Sequence, residues 1–205
     1  MESLSDMIFG LALSVGAITL VGSPPTDVPS IYSDLATFGF SFLILITIWL
    51  RYTRIMSVLP LETERGVVLN ITLLFLVSVE PFLFNIVRNP PTVLDYGPYG
   101  DAISTLYALD LGAMMVILGI FTFSATAQEK KLIPDEFVGR FKIESITWLI
   151  TGGLFLVTVL PFFFTFKVHG MPLRYAFWVV PMLFIFTVKT LERITVRMRD
   201  HRDGV

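Results

Sequence analysis

Several residues and motifs are absent from this chain, and each absence removes a class of function. The 205 residues include no cysteine, which excludes disulfides, thiolate metal sites and thiol catalysis. The two histidines, His169 and His201, lie far apart in the sequence, so we expect no histidine-based metal or catalytic cluster. No nucleophile–base motif and no HExxH zinc motif occurs. We therefore predict that the protein is not an enzyme and holds no cofactor.

Charge is also scarce. Charged residues make up 16% of the chain and hydrophobic residues 54%, and the mean hydropathy is +0.75. A soluble domain of this size does not carry such an excess, whereas a protein that crosses the membrane several times does. The net charge of −2 provides no basic field that would attract nucleic acid. We expect an all-α integral membrane protein that contacts membrane lipid and binds no nucleic acid.

Six apolar segments are each close to the ~20 residues that an α-helix needs to cross the hydrocarbon core. Loops rich in proline, glycine and asparagine separate several of them. Because no internal repeat is visible, a single six-helix transmembrane domain over residues 1–205 is the simplest arrangement. The predicted spans cover residues 5–22, 33–51, 66–87, 102–127, 144–166 and 173–191, and a cytosolic tail covers residues 192–205.

The distribution of lysine and arginine predicts the orientation of these spans. Three of the fifteen basic residues, Arg88, Lys167 and Arg174, fall in the loops that follow spans one, three and five. The other twelve fall around the loops that follow spans two and four and in the C-terminal tail. Since cytoplasmic loops carry the excess of basic residues, we expect a multi-pass protein of the cell membrane with both termini in the cytoplasm.

The first apolar segment carries no charge from Met7 to Thr26. Its small residues form two pairs four positions apart, Gly10 with Ser14 and Ala12 with Gly16, which allow close helix approach in lipid. Its larger residues recur three or four positions apart and share one helical face with a terminal glycine. That stripe consists of Leu4, Met7, Leu11, Val15, Ile18 and Gly22.

Two interpretations of this stripe remain open. It is either a packing surface of an ordinary membrane helix, or the wall of a pore in which rings of aliphatic side chains gate by dewetting. Six helices of this kind enclose no obvious channel alone, so a pore requires several copies around an axis. No TVGYG-type segment occurs, which excludes a carbonyl-lined potassium filter.

Two acidic residues fall inside predicted spans, Glu80 in the third and Asp110 in the fourth. Helix geometry places them at similar depth, and an acid at that depth is a functional hypothesis by default. They form either a proton-sharing pair or cation site, or a structural pair that hydrogen-bonds to other helices. The first possibility supports an alternative function, a proton-coupled or cation-coupled secondary transporter.

Other polar residues have structural interpretations. Ser3-x-x-Asp6 resembles a capping box, so Asp6 acts either as a helix cap alone or as a cap that also forms an inter-helix ion pair. Glu144, Trp148 and Lys189 are predicted anchors at the inner ends of helices. We expect hydrogen bonds between helices from Asn70, Ser78 and Asn85.

Sequence motifs in the first four spans carry a resemblance to a known family. Leu4-Ser5-Asp6 is followed by Met7 to Val15, Phe42 to Trp49 lies in the second span, and Leu106 to Leu109 opens the fourth. The third span contains Leu69-Asn70, Phe75 to Ser78 and Pro81-Phe82. Over about the first 125 residues the chain thus resembles the transmembrane protein 175 family, the lysosomal potassium channels and their six-helix prokaryotic relatives.

The resemblance implies a homotetrameric cation channel that prefers potassium, in which the first helix of each subunit lines a central pore. Leu11, Val15 and Ile18 match the hydrophobic layers of that family by position. Ser14 matches a position that contributes to cation preference. Potassium and other monovalent cations are then permeant ions rather than cofactors.

The resemblance also implies a structural and gating network near the cytoplasmic end of the first helix. Ser5, Asp6 and Trp49 match its members. The basic residue of the family signature would fall before Met1, so we expect it to be absent. We expect Arg51 or Arg54 to take its place beside Asp6.

Overall fold

The computed structural model describes residues 2–22, 27–59, 63–88, 98–126, 132–168, 170–188 and 190. Most of these residues are helical, which confirms the predicted helical class. The long helices are α1 (Glu2–Gly22), α2 (Val28–Met56), α3 (Glu64–Arg88), α4 (Pro98–Ala125) and α5 (Asp135–Val157). The shorter elements that follow are α6 (Pro161–Thr165), β1 (Lys167–Val168), β2 (Met171–Pro172), α7 (Leu173–Phe177) and α8 (179–188). The predicted tail, residues 192–205, lies outside the described residues.

The helices have the length and composition of a membrane protein. Among the described residues, α2, α3 and α4 are long and apolar enough to cross a membrane. Two shorter apolar stretches, Leu4–Ile18 and Leu173–Val188, lie in α1 and in α7 with α8. The six predicted spans remain an expectation, since length and composition support three of them directly.

Contacts between helices define two ends of the protomer. At the end that we call proximal, the beginning of α1 meets the last turns of α2, because Trp49 donates a hydrogen bond to Asp6. At the opposite, distal end, Arg88 of α3 forms an ion pair with Asp34 of α2. The successive helices α1, α2 and α3 therefore run in opposite directions.

Helices α4 and α5 pack closely against each other. A Cβ at Gly152 would lie 2.9 Å from the carbonyl oxygen of Gly112, and a Cβ at Gly119 would lie 2.8 Å from Leu149. Ser145 of α5 donates a 2.9 Å hydrogen bond to the carbonyl oxygen of Gly119. Small residues thus let the two backbones approach closely, as in other helix pairs in lipid.

The predicted fifth span, 144–166, is interrupted in the structure. The helix begins earlier, at Asp135, and ends at Val157, and the short α6 starts only at Pro161. Thr158 caps the end of α5 through its backbone N–H, which donates to Phe155. Pro161 lacks a backbone N–H and disfavours helical geometry at Leu160. These two effects account for the interruption between α5 and α6.

The start of α2 also differs from the prediction, because the helix begins at Val28 rather than at residue 33. Asp27 is its N-cap and accepts a 2.8 Å hydrogen bond from the backbone N–H of Ser30. The hydrogen bonds from the backbone and side chain of Ser30 lower the pKa of Asp27. The capping box predicted for Ser3 and Asp6 is wrong, because α1 already begins at Glu2.

Candidate functional site

The predicted stripe of α1 is the exposed face of that helix in the protomer. Leu11 and Ile18 are each 66% exposed, and Val15 is 40% exposed. The opposite face is buried, with Phe9 and Ala12 in the core and the ring of Phe9 5.5 Å from that of Tyr52. The helix therefore uses one apolar face to pack on its own protomer and leaves a second apolar face uncovered.

Ser14 lies on the exposed side of α1 together with the aliphatic stripe. Its hydroxyl donates a 2.7 Å hydrogen bond to the carbonyl oxygen of Gly10, one turn earlier. A Cβ at Gly10 would meet nothing within 4 Å. The small residues Gly10 and Ser14 thus face open space in the protomer, whereas Ala12 and Gly16 are buried.

Two members of the predicted network meet at the proximal end. The indole N–H of Trp49 donates a 3.0 Å hydrogen bond to Oδ1 of Asp6, which links α2 to α1. Ser5 is buried beside this bond, at 1% exposure. Ser5 and Asp6 also line a cavity of about 180 Å³ together with Tyr52, Thr53 and Met56.

The expectation that Arg51 pairs with Asp6 is wrong within the protomer. Nη1 of Arg51 lies 2.6 Å from Oε2 of Glu144, and the guanidinium also donates to Thr122. Arg51 is buried and ties α2 to α4 and α5 instead of to α1. Arg54, the other predicted substitute, is exposed in the last turn of α2.

This ion pair changes the interpretation of Glu144, which lies in the interior of α5 and not at its end. Glu144 was expected to be an interfacial anchor, but its carboxylate is the partner of the buried Arg51. Trp148, one turn further along α5, is 2% exposed and belongs to the core. An anchoring role is therefore wrong for both residues, because their side chains face other helices. Lys189 lies outside the described residues.

The two buried acids, Glu80 and Asp110, each lie near Tyr107 of α4. Glu80 is fully buried and accepts hydrogen bonds from Ser41 of α2 at 2.8 Å and from Tyr107 of α4 at 3.2 Å. Asp110 lies one helical turn after Tyr107 and is 4% exposed. Among the described residues, no donor reaches the second oxygen of Glu80 or either oxygen of Asp110.

Among the polar residues predicted to join helices, Asn70 and Ser78 behave differently. Asn70 accepts a 2.9 Å hydrogen bond from the hydroxyl of Tyr52, which confirms an inter-helix role. Ser78 is exposed and donates to the carbonyl oxygen of Phe75 in its own helix, so an inter-helix role is wrong for it. The partner expected for Asn85 stays a prediction.

Sequence reasoning missed the buried position of Arg174. Its guanidinium lies 2.8 Å from Oδ1 of Asp101, and it donates to the hydroxyl of Ser104 at 2.7 Å and the carbonyl oxygen of Thr158 at 2.7 Å. The side chain joins α7 to the start of α4 and the end of α5. Arg174 directly follows a turn-rich segment, a position that is typical of an exposed loop residue. No local sequence pattern distinguishes an exposed arginine from a buried one there.

A large cleft opens at the distal end, with a volume of about 1060 Å³. Its wall is mostly aromatic and apolar, and its charged lining residues are Lys167 and the Asp34–Arg88 ion pair, whose atoms lie 2.6 Å apart. Tyr107, itself buried, lines the cleft and is also the residue that donates to Glu80. The cleft and Glu80 are therefore neighbours across the side chain of Tyr107.

Comparison with known proteins supports the family predicted from the sequence. Residues 1–81 match the family model described as endosomal/lysosomal potassium channel TMEM175, which confirms the resemblance over α1, α2 and most of α3. No curated protein sequence matches the chain.

A similar fold occurs in a crystal structure of a homologue of the lysosomal potassium-selective channel TMEM175 from Chamaesiphon minutus. The TM-score is 0.58 at 18% sequence identity, and the similarity covers 91% of this chain and 95% of that chain. The common fold thus extends well beyond the residues that match the family model.

Proposed function

We propose that this protein is a potassium-preferring cation channel, assembled as a homotetramer, in which α1 of each subunit lines a central pore. One observation carries the proposal: the segment that matches a potassium-channel family model also presents an uncovered aliphatic stripe. The similar fold of a potassium-selective channel homologue supports the same function.

The proposed constriction consists of rings formed by Leu11, Val15 and Ile18 from each subunit. These side chains are exposed in the protomer and lie along one face of α1. Rings of aliphatic side chains impede ion passage when they exclude water and allow it when they separate. Ser14 contributes a hydroxyl oxygen on the same side of the helix, which offers a polar contact to a partly hydrated cation.

The Asp6–Trp49 hydrogen bond is proposed to hold the start of α1 against α2. A tilt or rotation of α1 that widens the rings would have to stretch or break this 3.0 Å contact. Ser5 is buried next to Asp6, and Arg54, five residues after Trp49, is exposed in the last turn of α2. Arg51 contributes indirectly, because it holds α2 against α4 and α5 through Glu144.

The proposal places the chain in the cell membrane as a multi-pass protein with both termini in the cytoplasm. Basic residues near the proximal end support this orientation. Two of them, Arg51 and Arg54, lie in the last turns of α2, and Arg140 and Lys142 lie in the first turns of α5. Membrane lipid would then contact the exposed apolar faces of the other helices.

Potassium flux into liposomes tests the function. The wild type should carry a potassium flux that exceeds the sodium flux, and Leu11→Ala should raise the basal flux several-fold because it removes bulk from one ring. Ile18→Asn should change flux or selectivity by hydrating another ring. The matched control is Ile146→Ala, a similarly exposed aliphatic residue on α5. Equal flux in the wild type and both α1 variants would contradict the proposed constriction.

A secondary transporter remains the second candidate, because Glu80 and Asp110 are buried acids within a single protomer. This function predicts saturable transport that depends on the two acids and is insensitive to Leu11. The channel function predicts single-channel currents that depend on the α1 stripe. Recordings of Glu80→Gln and Leu11→Ala in planar bilayers would separate the two.

A further inference from the structure

Ser41 and Tyr107 both donate hydrogen bonds to Glu80, and Asp110 lies one helical turn after Tyr107; we call these four residues the acid cluster. The two carboxyl groups are 0% and 4% exposed, and their three remaining oxygens receive no hydrogen bond from the described residues. Two hydroxyls, from Ser41 and Tyr107, already donate to a single oxygen of Glu80. Unsatisfied acceptors at this depth indicate that a ligand or a proton completes the cluster.

The charged groups around the cluster have other partners or face solvent. Arg88 and Asp34 pair with each other, and Arg174 pairs with Asp101. Arg51 pairs with Glu144 near the proximal end, and Lys167 is exposed at the cleft. Tyr175 of α7 packs its ring against Trp178, which in turn contacts Tyr107. Among the described ion pairs, none includes Glu80 or Asp110.

A proton suits the cluster better than a metal ion. Two neighbouring carboxylates without a cation are very costly to bury, and buried acids normally become neutral. A hard metal ion needs about six oxygen ligands, whereas the hydroxyls here direct their hydrogens at Glu80. The surroundings of Asp110 are apolar, since Leu76, Val79 and Leu83 line the groove beside it.

We propose that Glu80 and Asp110 form a proton-binding site inside each protomer, which exchanges with solvent through the distal cleft past Tyr107. The site needs only one protomer and includes no residue of α1. It therefore does not rest on the proposed pore, and either can fail without the other.

The exchange path follows from the position of Tyr107. Its ring lies 5.1 Å from that of Trp178 and lines the cleft, while its hydroxyl donates to Glu80. A hydroxyl both donates and accepts a hydrogen bond, so it passes a proton from cleft water to the carboxyl group. Thr37 lines the cleft one turn before Ser41, which places a second polar group on the α2 side.

Infrared titration of the purified full-length protein in liposomes tests proton binding. The wild type should show a carbonyl-stretch band of a protonated carboxyl group that disappears on alkalinisation. Each of Glu80→Gln and Asp110→Asn should reduce this band, and the double variant should abolish it. The control Glu136→Gln removes an exposed carboxyl group at the start of α5 and should leave the band unchanged.

A wild type without the band, or a double variant that retains it, would overturn the proposal. Should the double variant fail to assemble, Tyr107→Phe keeps both carboxyl groups and the aromatic packing. It removes one hydrogen bond to Glu80, so the carbonyl band should shift in frequency. Exchange of the bound proton for deuterium should also slow several-fold. An unshifted band with unchanged exchange would contradict the assigned site and path.

Discussion

Asp6 and Arg51 lie near the same end of the protomer, yet their side chains serve different contacts. Asp6 accepts from Trp49 and joins α1 to α2. Arg51 is directed to the other side of α2, where it forms an ion pair with Glu144 and donates hydrogen bonds to Thr122. The two residues therefore stabilise separate interfaces, one that the proposed gating motion disturbs and one that keeps α2, α4 and α5 together.

The Arg51–Glu144 pair should be among the strongest polar contributions to protomer stability. Arg51→Met leaves Glu144 without its partner, and loss of one member of a buried pair costs about 3 kcal/mol in the free energy of unfolding. The measurement is unfolding by denaturant titration in detergent micelles. A second substitution, Glu144→Gln, should recover part of the loss because it removes the uncompensated charge.

Arg54→Met is the matched control for this prediction, because Arg54 lies three residues later on α2 and is exposed. An exposed substitution of this kind usually changes stability by less than about 0.5 kcal/mol. Equal effects of the two substitutions would contradict the assigned role of Arg51.

Individual residue partners were only partly predictable from the sequence. The family motif indicated that Asp6 and Trp49 belong together, and their hydrogen bond agrees with it. The partner of Arg51 was not predictable, because neighbouring positions on one helix point to different sides and the sequence does not reveal which helix lies there. Burial of Arg174 was not predictable either, because a position just after a loop is also typical of an exposed charge.

At the scale of helices, the contact between α4 and α5 depends on residues without side chains. Gly112 and Gly152 face each other so closely that a Cβ on either would meet the other backbone within 3.2 Å. Close approach of this kind increases van der Waals contact where no hydrophobic driving force between helices exists in lipid. The pair therefore fixes the distance between the two helices.

Gly152→Ala should weaken this contact. The added Cβ would lie 2.8 Å from Val116 and 2.9 Å from the backbone of Gly112, so the helices must separate at a cost of about 1–3 kcal/mol. The measurement is the thermal unfolding midpoint in detergent, and the midpoint should fall.

Gly153→Ala is the adjacent control, since a Cβ there would meet nothing within 4 Å. Alanine favours the helix by about 1 kcal/mol relative to glycine, so this midpoint should hold or rise. A larger loss at Gly153 than at Gly152 would show that the α4–α5 contact is assigned to the wrong face.

Helix existence was predictable, and helix ends were less so. The third predicted span, 66–87, differs from α3 by only one or two residues at each end, since apolar composition changes sharply there. The predicted second span starts five residues after the first residue of α2. Asp27 and Pro29 are residues typical of loops, but here they mark a capped helix start. The predicted fifth span continues past Pro161, because hydropathy depends on side-chain polarity and not on the backbone N–H that proline lacks.

At the scale of the whole molecule, one protomer leaves much of its apolar surface open. Exposed aliphatic and aromatic residues on α3 and α5, such as Phe75 and Ile146, suit a lipid environment. The stripe on α1 is equally exposed, so exposure alone does not separate a pore wall from a lipid-facing surface. The family match over residues 1–81 favours the pore, because α1 lies within it.

The sequence predicts the proposed assembly only through the resemblance to a family. Spacing shows that Leu11, Val15 and Ile18 share a face, and burial shows that the face is free in the protomer. Neither observation fixes what covers it. Any oligomer depends on surfaces that are complementary between copies, and the sequence of a single chain does not display that relation.

Cysteine cross-linking tests the convergence of the α1 stripes most directly, because the natural chain contains no cysteine. Leu11→Cys, Val15→Cys and Ile146→Cys each introduce one thiol into the full-length protein in membranes. Under mild oxidation, the account predicts disulfide-linked dimers for at least one α1 variant and block of its potassium flux by silver ions, with neither effect for Ile146→Cys. Cross-linking at Ile146 alone, with both α1 thiols monomeric and their flux unaffected by silver, would contradict it.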